Sequence, residues 1–361
     1  MKILVVTPRY AISGVPLAQA RFAAALAERG HHVTFMVGNC DADLTVPSAP
    51  GVTTTVLGAP QVRAMIAPLM AYLRREQPEV IFSAEDHLNC IVLAAALLTG
   101  SRARISGSSR VTPFDTYSSA PFTKRWVLKQ AMRALAPRAQ ALTCVSQDMV
   151  AQYRTLFPRM GHACVYNIVD TPAARTRMAE PVDDPWLSDG LPPPVIAAGS
   201  LAPWKGFADL IRAMPLVPEA RLLILGEGSE RSALEALVAE LGLQQRVRLP
   251  GRVDNPLKYF ARARVSALSS HVEGMPNVLV EAMMCGCTPV ATDCPTGPRE
   301  LLQDGRYGYL AEVGDPASIA AALRAALARP IAPELLAEAV RPFEQHRVIR
   351  RHFELLGLAE Y

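Results

Sequence analysis

The sequence predicts an α/β protein of two doubly wound parallel-sheet domains, and three observations carry the prediction. Short runs rich in Val, Ile and Leu alternate with segments of helical spacing along nearly the whole chain. The alternation breaks over residues 179–194 (AEPVDDPWLSDGLPPP), where five Pro and four Asp or Glu occur without periodicity. The length, 361 residues, is too great for one ordinary domain and suits two of middle size. With 50% hydrophobic and 19% charged residues, both can hold sizeable cores, and a disordered chain is excluded.

The elements follow in order. Ile3–Thr7 reads as a strand, Leu17–Arg29 as a helix ended by Gly30, and His32–Val37 as the next strand. Helices are expected at Ala64–Glu76, Leu88–Leu98 and about Thr123–Leu135, and after Ser146. Strands are expected at Glu79–Phe82, near Ala103–Gly107 and at Ala141–Val145. Beyond the Pro-rich stretch, strands at Val195–Gly199, Arg221–Leu225, Val247–Leu249, Val265–Leu268 and Thr288–Ala291 are separated by helical pattern. The expected organisation is a first domain over 1–175, a linker over 176–194 and a second domain over 195–335. A final helix within 336–361 should pack back toward the first domain. In such sheets ligands sit beyond the carboxyl ends of the strands, so the site is expected in a cleft between the two domains.

Composition narrows the function. No run of roughly 18 apolar residues exists; the most apolar stretch, Ile91–Leu98, is far too short to span a membrane. MKILVVTPRY lacks the apolar segment of a secretory signal, and seven scattered Cys suit buried reduced thiols, so a cytoplasmic location is expected. Residues 1–175 carry 18 Lys and Arg against 10 Asp and Glu, whereas residues 176–361 carry 19 against 23. A basic first half suits an anionic surface or ligand, and an acidic second half argues against nucleic acid along the chain.

The densest chemical signal is Ser269–Ala282 (SSHVEGMPNVLVEA), which follows one predicted strand and opens a predicted helix. Pro276 suits the first helical turn, and Gly274 lets backbone approach a ligand closely. Free N–H groups at the helix start suit a diphosphate. Glu273 lies before that start and Glu281 about one turn inside it. Carboxylates flanking a phosphate site should accept hydrogen bonds from hydroxyls, meaning a sugar and a ribose.

This run resembles the E-x7-E signature of the family 4 glycosyltransferases, which have the GT-B fold of two Rossmann-like domains facing across a cleft and retain anomeric configuration. Lys205-Gly206, Leu222–Gly228, Arg246–Asn255, Cys285–Glu300 and Gly305–Leu310 agree with it. The resemblance is strong over about 195–325 and loose over 1–175. It implies that Glu273 binds the donor hexose, that backbone N–H groups in the run from Gly274 through Met275 and Pro276 to Asn277, Pro276 itself having none, hold sugar and phosphates, and that Glu281 holds the ribose. Lys205 would neutralise the departing diphosphate, the base would lie near Arg252-Val253, and Gly14 would approach the diphosphate from the first domain.

Two positions depart from the family pattern. Ser200 stands where the family usually has Arg, which removes a bidentate diphosphate contact; Arg252 and Arg299 are candidates to replace it. The first-domain His near the acceptor also lacks a counterpart in Ser106–Arg110. Either Arg110 takes its place, with a catalytic role, or His87 with Asn89 does.

Residues 120–138 (APFTKRWVLKQAMRALAPR) place five basic residues around Trp126 and apolar neighbours. This is either a helix lying peripherally on an anionic membrane, suited to polyprenyl-diphosphate-linked acceptors, or a core-packed helix with a solvated basic face. Cys285, Cys287 and Cys294 fit no usual zinc spacing, and no G-x-G-x-x-G follows the first strand, so neither a metal nor NAD is expected. The reading is a retaining, metal-independent transferase. It moves a hexose or N-acetylhexosamine from a nucleotide sugar, UDP-linked, to a saccharide or lipid-linked saccharide in bacterial surface-polymer synthesis. A nucleotide-sugar 2-epimerase and a non-catalytic nucleotide-sugar binder are the alternatives.

Overall fold

The computed structural model describes residues 1–11, 14–41, 44–46, 48–188 and 190–359. Its strands form two sheets in which every pairing is parallel. The first contains β1 (Lys2–Tyr10), β2 (His32–Cys40), β3 (Val52–Val56), β4 (Val80–Ala84), β5 (Arg104–Ser109), β6 (Ala141–Cys144) and β7 (His162–Cys164), in the order 3-2-1-4-5-6-7. The second contains β8 (Val195–Ala198), β9 (Leu222–Leu225), β10 (Val247–Gly251), β11 (Val265–Leu268), β12 (Thr288–Thr292) and β13 (Tyr309–Ala311), in the order 10-9-8-11-12-13. Each order runs outward from its first strand, then reverses. The switch points therefore lie between β1 and β4, and between β8 and β11.

Helices cover both faces of each sheet, which is why β4, β9, β11 and β12 are buried at every position and read as continuous apolar runs. Every strand expected from the sequence is present, with ends moved by at most three residues. Three strands were not anticipated: β3, β7 and β13. The first is a half-exposed edge strand rich in Thr, and the other two are three-residue edge strands, so none has the apolar run that marks a central strand.

The chain forms two compact units, Met1–Ile168 with Gln345–Tyr361, and Val169–Glu344. These limits differ from those expected. The first unit ends at 168 rather than 175, and residues 176–194 are no free linker. Asn255 donates from Nδ2 to Arg177 O and Glu180 Oε2, both at 2.8 Å, and Arg248 pairs with the buried Asp184 at 3.2 Å. Trp186 lies between two guanidinium groups, Arg221 at 5.1 Å and Arg248 at 5.0 Å from its ring. Composition alone marks this stretch as irregular but cannot show that a Trp and a buried Asp anchor it to its own unit.

The final helix is shorter than the expected range. Residues 333–344, with the helix Pro333–Val340, stay in the second unit, and Gln345–Leu355 belongs to the first. Val348, Ile349, Phe353 and Leu356 enter the same core as Ile3, Val5, Phe22 and Phe82. Its carboxyl end is capped by Arg104 of β5, which donates to Gly357 O at 2.9 Å, and Gly357 takes the left-handed conformation that closes a helix. No helix among the described residues is long and apolar enough to cross a membrane.

Candidate functional site

In the second unit, β8 and β11 are neighbours at the switch point, so the loops leaving their carboxyl ends lie side by side. Their contact is close. Gly206 has φ +62°, and a Cβ there would come within 2.0 Å of Ser269 O. Ser269 Oγ donates to Lys205 O at 2.9 Å, and His271 N donates to Trp204 O at 2.8 Å. These bonds bring two residues 68 apart in sequence into direct contact: Lys205 Nζ lies 2.6 Å from Glu273 Oε1. Both side chains are largely buried.

The loop after β12 completes the frame. Ser270 Oγ donates to Glu273 Oε1 at 2.6 Å, Thr296 Oγ1 donates to Glu273 O, and Thr292 Oγ1 donates to Ser270 O at 2.5 Å. Gly297 has φ +97°, and any Cβ would meet Pro276 Cδ at 2.8 Å. On the other side, a Cβ on Gly226, after β9, would come within 1.8 Å of Gly199 O. Glycines are therefore required where adjacent loops pack backbone to backbone.

The helix Asn277–Met284 begins directly after this turn, and its cap residue makes no side-chain hydrogen bond to it. Pro276 is the cap residue itself, so the helix starts one residue later than expected. The start of a helix suits a diphosphate, because its backbone N–H groups carry the positive end of the helix dipole. Gly274, Met275 and Asn277 line the approach to the helix start, with Met275 and Pro276 buried. Glu281 is half-buried one turn into the helix.

The other expected residues are distributed as follows. Ser200 is exposed after β8, Arg252 is exposed after β10, and Val253 packs against the core beside it. Arg299 is committed to Asp293 and Asp304, donating at 3.0 Å to each, so of the two proposed stand-ins for the missing Arg only Arg252 is uncommitted to those acids. Burial pushes the Cys285 and Cys294 thiols up to about 12, which suits buried protonated thiols.

In the first unit, Gly14 is exposed at the start of the helix Gly14–Glu28, and nothing lies within 4 Å of where its Cβ would stand. His87 is exposed near the start of the helix Asp86–Thr99. Asn89 is not available to a ligand. It is fully buried, accepts from Ser83 Oγ at 2.7 Å and donates to Ser108 O at 3.1 Å, tying β4 to β5. Arg110, directly after β5, donates to Asn167 Oδ1, and burial lowers its guanidinium to about 10, against the opposing pull of Glu85. Of the basic set in 120–138, Lys129 is buried and donates to Ser119 Oγ at 3.3 Å, whereas Phe122 is 90% exposed and packs its ring against Trp126.

Sequence reasoning missed Ser270 and Thr296. Both are ordinary hydroxyl residues whose role depends on which loops meet.

Residues 192–329 match the family model described as "Glycosyl transferases group 1", and residues 13–167 match the "Glycosyl transferase 4-like domain". The chain belongs to the group 1 glycosyltransferases. A Campylobacter jejuni relative, N-acetylgalactosamine-N,N'-diacetylbacillosaminyl-diphospho-undecaprenol 4-alpha-N-acetylgalactosaminyltransferase, is 32% identical over 66% of this chain and 64% of its own length. The lipopolysaccharide core biosynthesis glycosyltransferase LpsE of Rhizobium meliloti is 35% identical over 36% of this chain and 38% of its own. The matched segments thus span less than two thirds of either relative. Among solved structures, Anabaena HepE in complex with UDP superposes with a TM-score of 0.77 at 21% identity, covering 99% of this chain and 100% of that one. The fold of this family member is GT-B.

Proposed function

We propose that the protein is a retaining glycosyltransferase that moves a hexose or N-acetylhexosamine from a UDP-linked sugar to a saccharide or polyprenyl-diphosphate-linked saccharide in bacterial surface-polymer synthesis. The observation that carries this reading is the Lys205–Glu273 pair in the loops that lead into the helix Asn277–Met284. The relatives support it. The Campylobacter jejuni protein is named for transfer to a diphospho-undecaprenol substrate, the Rhizobium meliloti protein for lipopolysaccharide core synthesis, and HepE holds UDP.

In this reading the diphosphate lies on the helix N–H groups and takes Lys205 from Glu273. Negative charge developing on the leaving phosphate is met by fixed donors, which favours the transition state over the ground state. Glu273, held by Ser270, orients the sugar hydroxyls, and Glu281 holds the ribose. The acceptor hydroxyl attacks the anomeric carbon on the face the diphosphate leaves. The C–O bond to phosphate breaks, and the leaving phosphate oxygen takes the acceptor proton. Lys205 and the helix supply the countercharge, so the reaction requires no metal ion, and EDTA should leave the rate unchanged. The exposed Phe122 with its basic neighbours would bring the protein to the inner face of the cytoplasmic membrane, where lipid-linked acceptors reside. Replacing Glu273 and Lys205 by Ala, each alone, tests the reading with radiolabelled nucleotide sugars. Transfer should fall by at least a hundredfold; near-full rates in both variants would refute the assignment.

A further inference from the structure

β6 and β7 close one edge of the first sheet, and their parallel register sets Cys144 of β6 directly beside Cys164 of β7. In-register residues of neighbouring strands point to the same face of a sheet. Their Cα atoms stand about 4.8 Å apart, inside the roughly 4.4–6.8 Å that a disulfide spans. The electrostatics agree. Burial pushes the Cys144 thiol above its ordinary value, and negative charge on Asp86 and then on Cys164 adds to the rise.

Two features let this pair react. Cys144 is fully buried, but Cys164 is half-buried, so a dissolved oxidant can reach one of the two sulfurs. β7 is three residues long and is the last strand of its sheet, paired on one side only. So short an edge strand can move by the ångström or so that brings two paired thiols into bonding distance.

The chain beyond β7 couples the pair to the rest of the unit. Val165 N donates to Cys144 O at 2.9 Å, and Asn167, three residues past Cys164, accepts from Arg110. Drawing Cys164 toward Cys144 therefore shifts the segment that positions the Arg110 guanidinium.

We propose that Cys144 and Cys164 are a redox-sensitive thiol pair that closes a disulfide across the sheet edge and, in closing, displaces the segment holding Arg110. The oxidant is a small-molecule disulfide. Cys164 gives its proton to solvent, and its thiolate attacks one sulfur of glutathione disulfide, from which one glutathione thiolate leaves. Cys144 then gives up its proton and attacks Cys164 Sγ, and the second glutathione thiolate leaves. The two departing thiolates take up the two protons released. Two protein thiols are oxidised, and one glutathione disulfide is reduced to two thiols. The bond itself stands apart from the transferase reading; its effect on sugar transfer rests on that reading.

The test is treatment of the native full chain with glutathione disulfide, alkylation of the remaining thiols, and mapping of linked peptides by mass spectrometry. Wild type, Cys164→Ser and Cys144→Ala are compared. Wild type should yield peptides joined through Cys144 and Cys164. Cys144→Ala should stop with glutathione on Cys164, and Cys164→Ser should leave Cys144 unmodified. Cys40 is a comparison within the molecule: it too is half-buried, but its paired residue is Tyr10, so glutathione attached there should stay. Glutathione persisting on Cys164 of the folded wild type, or a Cys144–Cys164 link that forms only in urea, would overturn the proposal. Sugar transfer by the oxidised wild type should fall severalfold and return with dithiothreitol, while Cys164→Ser ignores the oxidant. A link that forms without changing transfer would overturn the coupling to Arg110. Absence of transfer by the reduced wild type would count against the transferase reading and leave the peptide result to stand by itself.

Discussion

Lys205 Nζ and Ser270 Oγ both lie 2.6 Å from the same atom, Glu273 Oε1. The cation assigned to the diphosphate is thus neutralised by the carboxylate assigned to the sugar, and a bound phosphate must compete for it. Lys205→Met should lower UDP affinity roughly 10- to 100-fold, in line with a charged hydrogen bond. It should also lower stability by about 3 kcal/mol, because Glu273 would keep only Ser270 as a side-chain partner. Adding Glu273→Gln should recover most of that stability and none of the transfer activity. Calorimetry and UDP titration of the single and double variants measure both.

Asn89 provides a control in the other unit. Replacing it with Leu leaves Ser83 Oγ without its partner and takes from Ser108 O one of two donors, the other being the backbone N–H of Glu85. A loss of about 2–3 kcal/mol is expected in urea unfolding, with UDP affinity of the folded fraction unchanged.

Trp186 holds residues 176–194 against the second unit through two guanidinium contacts. Trp186→Ala should cost about 2 kcal/mol and expose the Pro-rich stretch. Limited proteolysis should then cut first within 179–194, where the wild type resists.

Phe353 anchors the last helix in the first unit's core and is 2% exposed. Phe353→Ala should cost about 3–5 kcal/mol through the cavity it leaves. Thermal unfolding followed by circular dichroism gives the value.

Acid stability should depend on two buried histidines. Burial holds His162 at about 4 and His352 at about 3, both below the ordinary value. The unfolded chain binds these protons first, so the native state is favoured fully above pH ~6.5 and loses stability as pH falls toward those lower values. Each contributes up to about 1.4 kcal/mol per pH unit in that window. His162→Asn and His352→Gln should flatten the stability profile between neutral pH and pH ~4 relative to wild type, as followed by urea unfolding at stepped pH.

Periodicity determined that this chain folds as two parallel α/β sheets, because strands buried on both faces must be apolar throughout and their covering helices must be amphipathic. It also marked SSHVEGMPNVLVEA, since a turn leading into a helix is written in adjacent residues. What it left open was every relationship that depends on strand order. Lys205 meets Glu273 because β8 and β11 are neighbours, and Asn89 is structural because β4 lies beside β5. Loop contacts at strand ends are set by which strands pair, and pairing between distant segments is decided only when the whole sheet assembles.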